Sequence, residues 1–318
     1  MRRLVPGLQL LVVLGLALIA AGCGGPGSDK SSTLTIAMVT HSDEGSFWSV
    51  VKKGAEQAAR DEGVKLIWSP SKNDPQKQAQ LIDAAVSHKV DGLAVSVPNY
   101  DAIKDSLAKA KAAGIPIITL NSGLDHFEES GAITHVGQSE EVAGKGAGAK
   151  LKAAGVKKVL CVIHEQRNIG LEQRCQGLKE GFGDAVTTIH VKGTADLSTS
   201  QAEIEAKLGA DKSFDAVMAL NPDLGEVAKA AVKGAGSSAK VATFDLSPAI
   251  IKDIQAGNIL FAVDQQQYLQ GYLPIVFLKL FKDNANTVGG GLAVNTGPGY
   301  VDRSNATTVA KLAEAGTR

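Results

Sequence analysis

The chain has 318 residues, 33 Lys and Arg against 33 Asp and Glu, and 44% hydrophobic residues. That much apolar content can bury a core, which excludes a disordered chain, and the balanced charge gives no electrostatic reason to expect a nucleic-acid partner. Gly at 35 and aromatics at only 4% suit many tight strand–helix turns rather than an aromatic-cored β-sandwich, and at roughly 150 residues per domain the length suggests two domains.

Residues 1–22 begin with Arg2 and Arg3, continue through an apolar run at 10–21, and end on Ala20-Ala21-Gly22 before Cys23. A basic start, a short apolar stretch and small residues at a cleavage point read as a secretory signal. The run is shorter than the ~20 residues that span a bilayer. Ile19-Ala20-Ala21-Gly22-Cys23 resembles a bacterial lipobox, with Ala20 where Leu is commoner. That resemblance implies lipidation of Cys23; the alternative is an ordinary cleaved signal with a chance cysteine. Residues 23–32 are rich in Gly and Ser and are expected to form a flexible tether. The expected location is therefore outside the cytoplasmic membrane, anchored to its outer face or periplasmic.

In an oxidising compartment the two remaining cysteines, Cys161 and Cys175, are expected to pair. Closing a loop of about 15 residues would stabilise the fold by roughly 3 kcal/mol. Two buried free thiols, or a metal pair short of ligands, are the alternatives.

From residue 33 onward, short apolar runs alternate with helical stretches. Strand-like runs fall at 33–40, 64–69, 92–97 and 115–120, with helices predicted over 47–62, from the Asn73-Asp74-Pro75 turn to 88, and over 100–113. The alternation restarts near 156, with strands predicted at 156–163, 186–191, 214–220, 240–244 and 259–263. Apolar runs of this length between helices imply parallel sheets covered on both faces, hence an α/β protein of two doubly wound, Rossmann-like lobes. In such sheets ligands gather beyond the carboxyl ends of the strands. The residues there are polar or aromatic: 41–48, Asn99, Asn121, Ser122, 164–168, Asn221, Asp245 and Gln265.

Eight segments in this order resemble the periplasmic sugar-binding proteins of the ribose/galactose type. They are GSFWSVVKKGAEQAARDEGV at 45–64, VDGLAVSVPN at 90–99, AGIPIITLNS at 113–122, HVGQSEEVAGKGAG at 135–148, QRCQGLKEGF at 173–182, VMALNPDLGEVAKA at 217–230, VATFDLSP at 241–248 and VDQQQYLQGY at 263–272. The resemblance implies a type I periplasmic binding protein, with two lobes joined by three hinge crossovers and a ligand clamped between them. The lobes are expected at 33–137 plus 267–294 and at 138–266 plus 295–318. Phe47 and Trp48 match the aromatic pair that covers a sugar ring. Asn121 and Ser122 stand where sugar binders place an Asp-Arg pair. Arg174 matches the arginine of the second lobe, while Asn221, Asp245 and Gln265 match the groups that complete the hydroxyl network. Leu197 stands in for a second-lobe aromatic, and His164 and Asn168 add polar groups at the cleft edge.

The chemistry of these side chains points the same way. Amides both donate and accept, Asp accepts, Arg donates in a fixed fork, and aromatic rings cover C–H faces. The departures at Asn121, Ser122 and Leu197 favour an acyclic polyol, a cyclitol or a modified sugar over an ordinary pentose or hexose. The expected role is an extracytoplasmic solute-binding lipoprotein, a monomer that delivers its ligand to an ABC permease without catalysis, cofactor or metal. The alternatives are a sensory receptor presenting a similar ligand to a membrane kinase or chemoreceptor, and an enzyme on an α/β frame. His41, His88, His126 and His190 show no metal-ligand spacing and are read as surface or cap residues. Residues 137–146 (GQSEEVAGKG) fail as a phosphate loop, because Gly146 occupies the place of its Ser or Thr.

Overall fold

A computed structural model describes residues 33–318. The signal at 1–22, the tether at 23–32 and the lipidation site Cys23 lie outside the described residues. In chain order the first lobe contains β1 (Thr35–Thr40), α1 (Gly45–Asp61), β2 (Lys65–Pro70), α2 (Pro75–Ser87), β3 (Gly92–Ser96), α3 (Tyr100–Ala112), β4 (Ile117–Asn121) and β5 (Ala132–Gly137). The second lobe follows with α4 (Glu140–Ala153), β6 (Val159–Ile163), α5 (Ile169–Phe182), β7 (Val186–His190), α6 (Leu197–Ala210), β8 (Ala216–Ala219), α7 (Pro222–Gly234), β9 (Lys240–Phe244), α8 (Pro248–Ala256) and β10 (Ile259–Asp264). The chain then returns to the first lobe for α9 (Gln267–Asn284) and β11 (Val294–Asn295), and ends in the second with β12 (Gly299–Asp302) and α10 (Ala306–Glu314).

The described residues form two six-stranded sheets, ordered β11-β5-β4-β3-β1-β2 and β12-β10-β9-β8-β6-β7. Dropping the last strand of each leaves the same winding twice, so β1 to β5 correspond to β6 to β10. Only β12 runs antiparallel, against β10. Strands β3, β4, β6 and β8 are buried along their whole length, as expected of parallel strands covered by helices on both faces. Helix starts follow local chemistry: Asp74, Asn99, Ser139, Asn168, Asn221 and Ser247 each accept a backbone N–H of the helix they open.

The sequence-predicted strands and helices recur within one to three residues, whereas β5, β11 and β12 were not foreseen. The polypeptide crosses between the sheets three times, around Gln138, Gln265 and Thr296. These crossovers are tied together: the Thr296 N–H donates to the Gly137 carbonyl at 2.6 Å, and its hydroxyl to the Gln265 carbonyl at 2.7 Å.

Candidate functional site

The carboxyl ends of both sheets face one cleft, a cavity of about 440 Å³ counted with its mouth. Its first-lobe wall carries His41, Glu44, Phe47, Trp48, Asn121 and Ser122. Its second-lobe wall carries His164, Glu165, Asn168, Arg174, Asn221 and Asp245, and Gln265 sits at a crossover between them. Ten of the eleven sequence-predicted binding residues therefore meet in one place.

Leu197 does not join them. It opens α6 at 40% exposure. The wall position belongs instead to Thr194, in a short 3-10 turn just before the helix. A second correction concerns His41, which is buried in the cavity wall rather than at the surface. Asp223 also lines the cavity without having been singled out, and Glu44 and Glu165 line it from within the 41–48 and 164–168 stretches.

Phe47 and Trp48 lie in the first turn of α1 and meet edge to face, with centroids 5.1 Å apart at 88°. His41 meets Trp48 in the same manner, at 4.8 Å. The buried indole thus packs against two rings, an apolar wall with little rotamer freedom left to lose on binding.

Arg174 is held by Glu140, which the sequence did not mark. Its Nε donates to Glu140 Oε2 at 2.6 Å and its Nη2 to Oε1 at 2.9 Å, while Nη1 donates to the Leu220 carbonyl at 2.9 Å. A guanidinium carries five N–H groups, so two remain to point at a ligand. Burial acts to lower the Arg174 pKa, but the Glu140 carboxylate, with Asp245 and Glu165, outweighs it and the net shift is upward. The ion pair that orients Arg174 thus also keeps it charged in a dry site.

Asn121 and Asp245 occupy equivalent places, at the ends of the fourth and ninth strands. Both adopt left-handed backbone, with φ of 62° and 65°. Asn and Asp tolerate this region better than other non-glycine residues. Gln265 Nε2 donates to Asp245 Oδ1 at 2.8 Å, and Asn121 Nδ2 donates to Gln270 Oε1 at 3.2 Å. The Asp245 carboxyl is pushed up to about 7, chiefly by burial, with Arg174 and Gln265 opposing. Asn221 spends its Oδ1 capping α7 at 2.7 Å from the Leu224 N–H, which leaves its amide N–H₂ for a ligand.

Several bonds cross directly from lobe to lobe. His41 Nε2 lies 3.4 Å from Glu165 Oε2, and the Ser122 hydroxyl donates to Asn168 Oδ1 at 3.3 Å. Thr194 donates to Glu44 at 3.1 Å, and the Ser46 N–H donates to Asp223 at 3.3 Å. The segment bearing His164, Glu165 and Asn168 lies inside the loop closed by the Cys161–Cys175 disulfide, whose Cα atoms are 5.9 Å apart.

Residues 36–284 match the family model of the periplasmic binding protein domain. The chain belongs to that family. Its members are extracytoplasmic solute receptors, so the chain is a solute-binding protein of the kind that serves ABC importers, and nothing supports the sensory alternative. Among its relatives is the ribose import binding protein of Haemophilus influenzae, 26% identical over 269 residues, 83% of this chain and 88% of that one. The xylitol-binding protein of Mycolicibacterium smegmatis is 26% identical over 70% of this chain and 64% of its own. A carbohydrate transporter from Acidothermus cellulolyticus 11B, solved in complex with myo-inositol, is 44% identical. It superposes with a TM-score of 0.88, covering 90% of this chain and 100% of its own. Among the described residues no helix is long and apolar enough to cross a membrane.

Proposed function

We propose that this protein captures a cyclitol or a closely related polyol and delivers it to an ABC permease. The two lobes, 33–137 with 267–294 and 138–266 with 295–318, close over the ligand. A lipid on Cys23 holds the monomer at the membrane. Trp48 and Phe47 cover a C–H face of the ring. Arg174 and the Asn221 amide donate to hydroxyls, while Asp245 accepts from one or two. Asn121, Ser122, Asn168 and Gln265 complete the polar lining, with His164 beside them.

The observation that carries this reading is the cavity itself, where aromatic cover meets a ring of hydrogen-bonding groups supplied by both lobes. The replacement of an Asp-Arg pair by Asn121-Ser122 takes a fixed charge pair off the cavity floor and suits an uncharged ligand with hydroxyls all round. The 44% identical relative solved with myo-inositol supports the same ligand class.

The test is a thermal-shift screen of the purified protein against inositols, linear polyols, pentoses, hexoses, nucleosides and amino acids. A ligand at 100 times its Kd stabilises the folded state by about 2.7 kcal/mol, which raises Tm by several degrees. An inositol or polyol is expected to stand out. A response confined to nucleosides or amino acids would overturn the ligand class while leaving the family intact.

A further inference from the structure

One edge of the cavity carries negative charge that the protein leaves unbalanced. Glu44 of the first lobe and Asp223 of the second both line the cavity and are half-buried. The two residues are neighbours across the cleft, because Gly45, which follows Glu44, packs against the Asp223 carboxylate. Thr194 donates its hydroxyl to Glu44 at 3.1 Å, and Ser46 donates its N–H and its hydroxyl to Asp223 at 3.3 Å and 3.4 Å. All of these donors are neutral. Among the described residues neither carboxylate forms an ion pair. Apart from two histidines, Arg174 is the only basic residue in the cavity lining, and Glu140 already holds it through two bonds.

We infer that Glu44 and Asp223 determine specificity by charge: together they admit a neutral polyol and exclude the same polyol bearing a phosphate or a carboxylate. The inference rests on the polyol reading above and fixes the charge of its ligand.

Selection arises on closure. While the cleft is open, water solvates both carboxylates and salt screens them. When the lobes close, water leaves the edge, the local dielectric falls and like charges repel more strongly. A ligand hydroxyl meets the edge as a donor to a carboxylate, which is a strong bond. An ionised phosphate or carboxylate adds a further negative charge there, and a like-charge contact of this kind discriminates against the wrong ligand. The amino end of a helix is ordinarily a place for an anion. At the start of α1 that attraction is already taken up, since Asp223 accepts the Ser46 N–H and Glu44 immediately precedes the helix. A ligand anion therefore finds the protein's own carboxylates in the position that would favour it.

The experiment compares ligands that differ only in charge. The mono-O-carboxymethyl ethers of myo-inositol and the matching neutral amides are titrated by calorimetry at pH 8 into wild type, Glu44→Gln, Asp223→Asn and the double variant. Both substitutions keep an acceptor for Thr194 or Ser46, so the bonds between the lobes can persist while the charge is lost. The melting temperature of each variant confirms that it folds. For the wild type, at least one amide is expected to bind, and its acid about tenfold or more weakly. Each single variant should narrow that ratio, and the double variant should bring it to within about threefold. A ratio unchanged in the double variant would overturn the assignment. An acid that binds the wild type as well as its amide would do the same, as would an amide set that fails to bind at all, since shape rather than charge would then set the limit. Each of these leaves the polyol reading in place so long as myo-inositol itself binds. Failure of the wild type to bind myo-inositol or any other polyol would overturn that reading, and this inference with it.

Discussion

Asp245 is a carboxyl whose ionisation and ligand binding are linked. Burial holds its pKa at about 7, against an ordinary value of 3.8. A folded-state pKa raised in this way means that the group stabilises the fold below pH 3.8, and that this contribution is lost as pH rises through about 7. Binding runs in the opposite sense, because a ligand hydroxyl donates more strongly to the carboxylate than to the neutral acid. Affinity for the ligand is therefore expected to weaken as pH falls from 8 to 5, with most of the change around pH 7. His164 at about 4 and Glu165 at about 2 titrate below this window. Calorimetry at pH 5 and pH 8 measures the effect, and Asp245→Asn should flatten the profile while costing at least tenfold in affinity at pH 8. A wild-type profile already flat across that range would remove Asp245 from direct contact with the ligand.

At the scale of elements, glycines set how closely helices approach, and one such contact supports the site. In the α4–α5 pair, a Cβ on Gly144 would overlap the Arg174 carbonyl, one on Gly177 the Glu141 carbonyl, and one on Gly181 the Lys145 carbonyl. The same close approach joins Glu140 in the first turn of α4 to Arg174 in the middle of α5. In the α1–α9 pair, Gly54 and Gly271 approach Tyr268 and Val51 in the same way. Gly177→Val should therefore destabilise the protein by about 1–3 kcal/mol and also weaken ligand binding several-fold, because it pushes Arg174 off its Glu140 support. Gly271→Val should cost similar stability with a smaller loss of affinity. Denaturant melts paired with calorimetry separate the two, and equal affinity losses would mean that the α4–α5 contact has no special hold on the site.

These elements also mark what the sequence could reveal. Strand ends are legible because an apolar run stops at a polar residue, and that rule located Asn121, Asn221, Asp245 and Gln265. Glu140 escaped it because it begins a helix, and only the glycine-lined packing of α4 on α5 brings it to Arg174. His41 was read as a surface or cap residue because any exposed loop is polar, so its residue type alone does not separate a cavity wall from solvent. Leu197 was misplaced because the connection from β7 to α6 contains a 3-10 turn, which shifts the wall position back to Thr194. Strand β11 is two residues long and has no pattern to read.

For the molecule as a whole, function depends on how much of the closed state the protein holds by itself and how much the ligand must supply. Direct bonds already join the lobes at His41–Glu165, Ser122–Asn168, Glu44–Thr194 and Ser46–Asp223. The last of these sets a carboxylate at the amino end of α1, where the helix dipole favours it by about 0.3–1 kcal/mol. Bonds of this strength bias closure without fixing it. Apparent affinity scales with the fraction of molecules already in the competent form. Removing one such bond should therefore open the empty protein and weaken binding about two- to fivefold, while leaving the liganded shape unchanged. Asp223→Ala is the variant that tests this, with small-angle scattering as the measurement. The radius of gyration of the ligand-free variant should exceed that of the ligand-free wild type, and saturating ligand should bring the two together. Identical radii in both states, with affinity still reduced, would mean that Asp223 acts on the ligand itself rather than on closure.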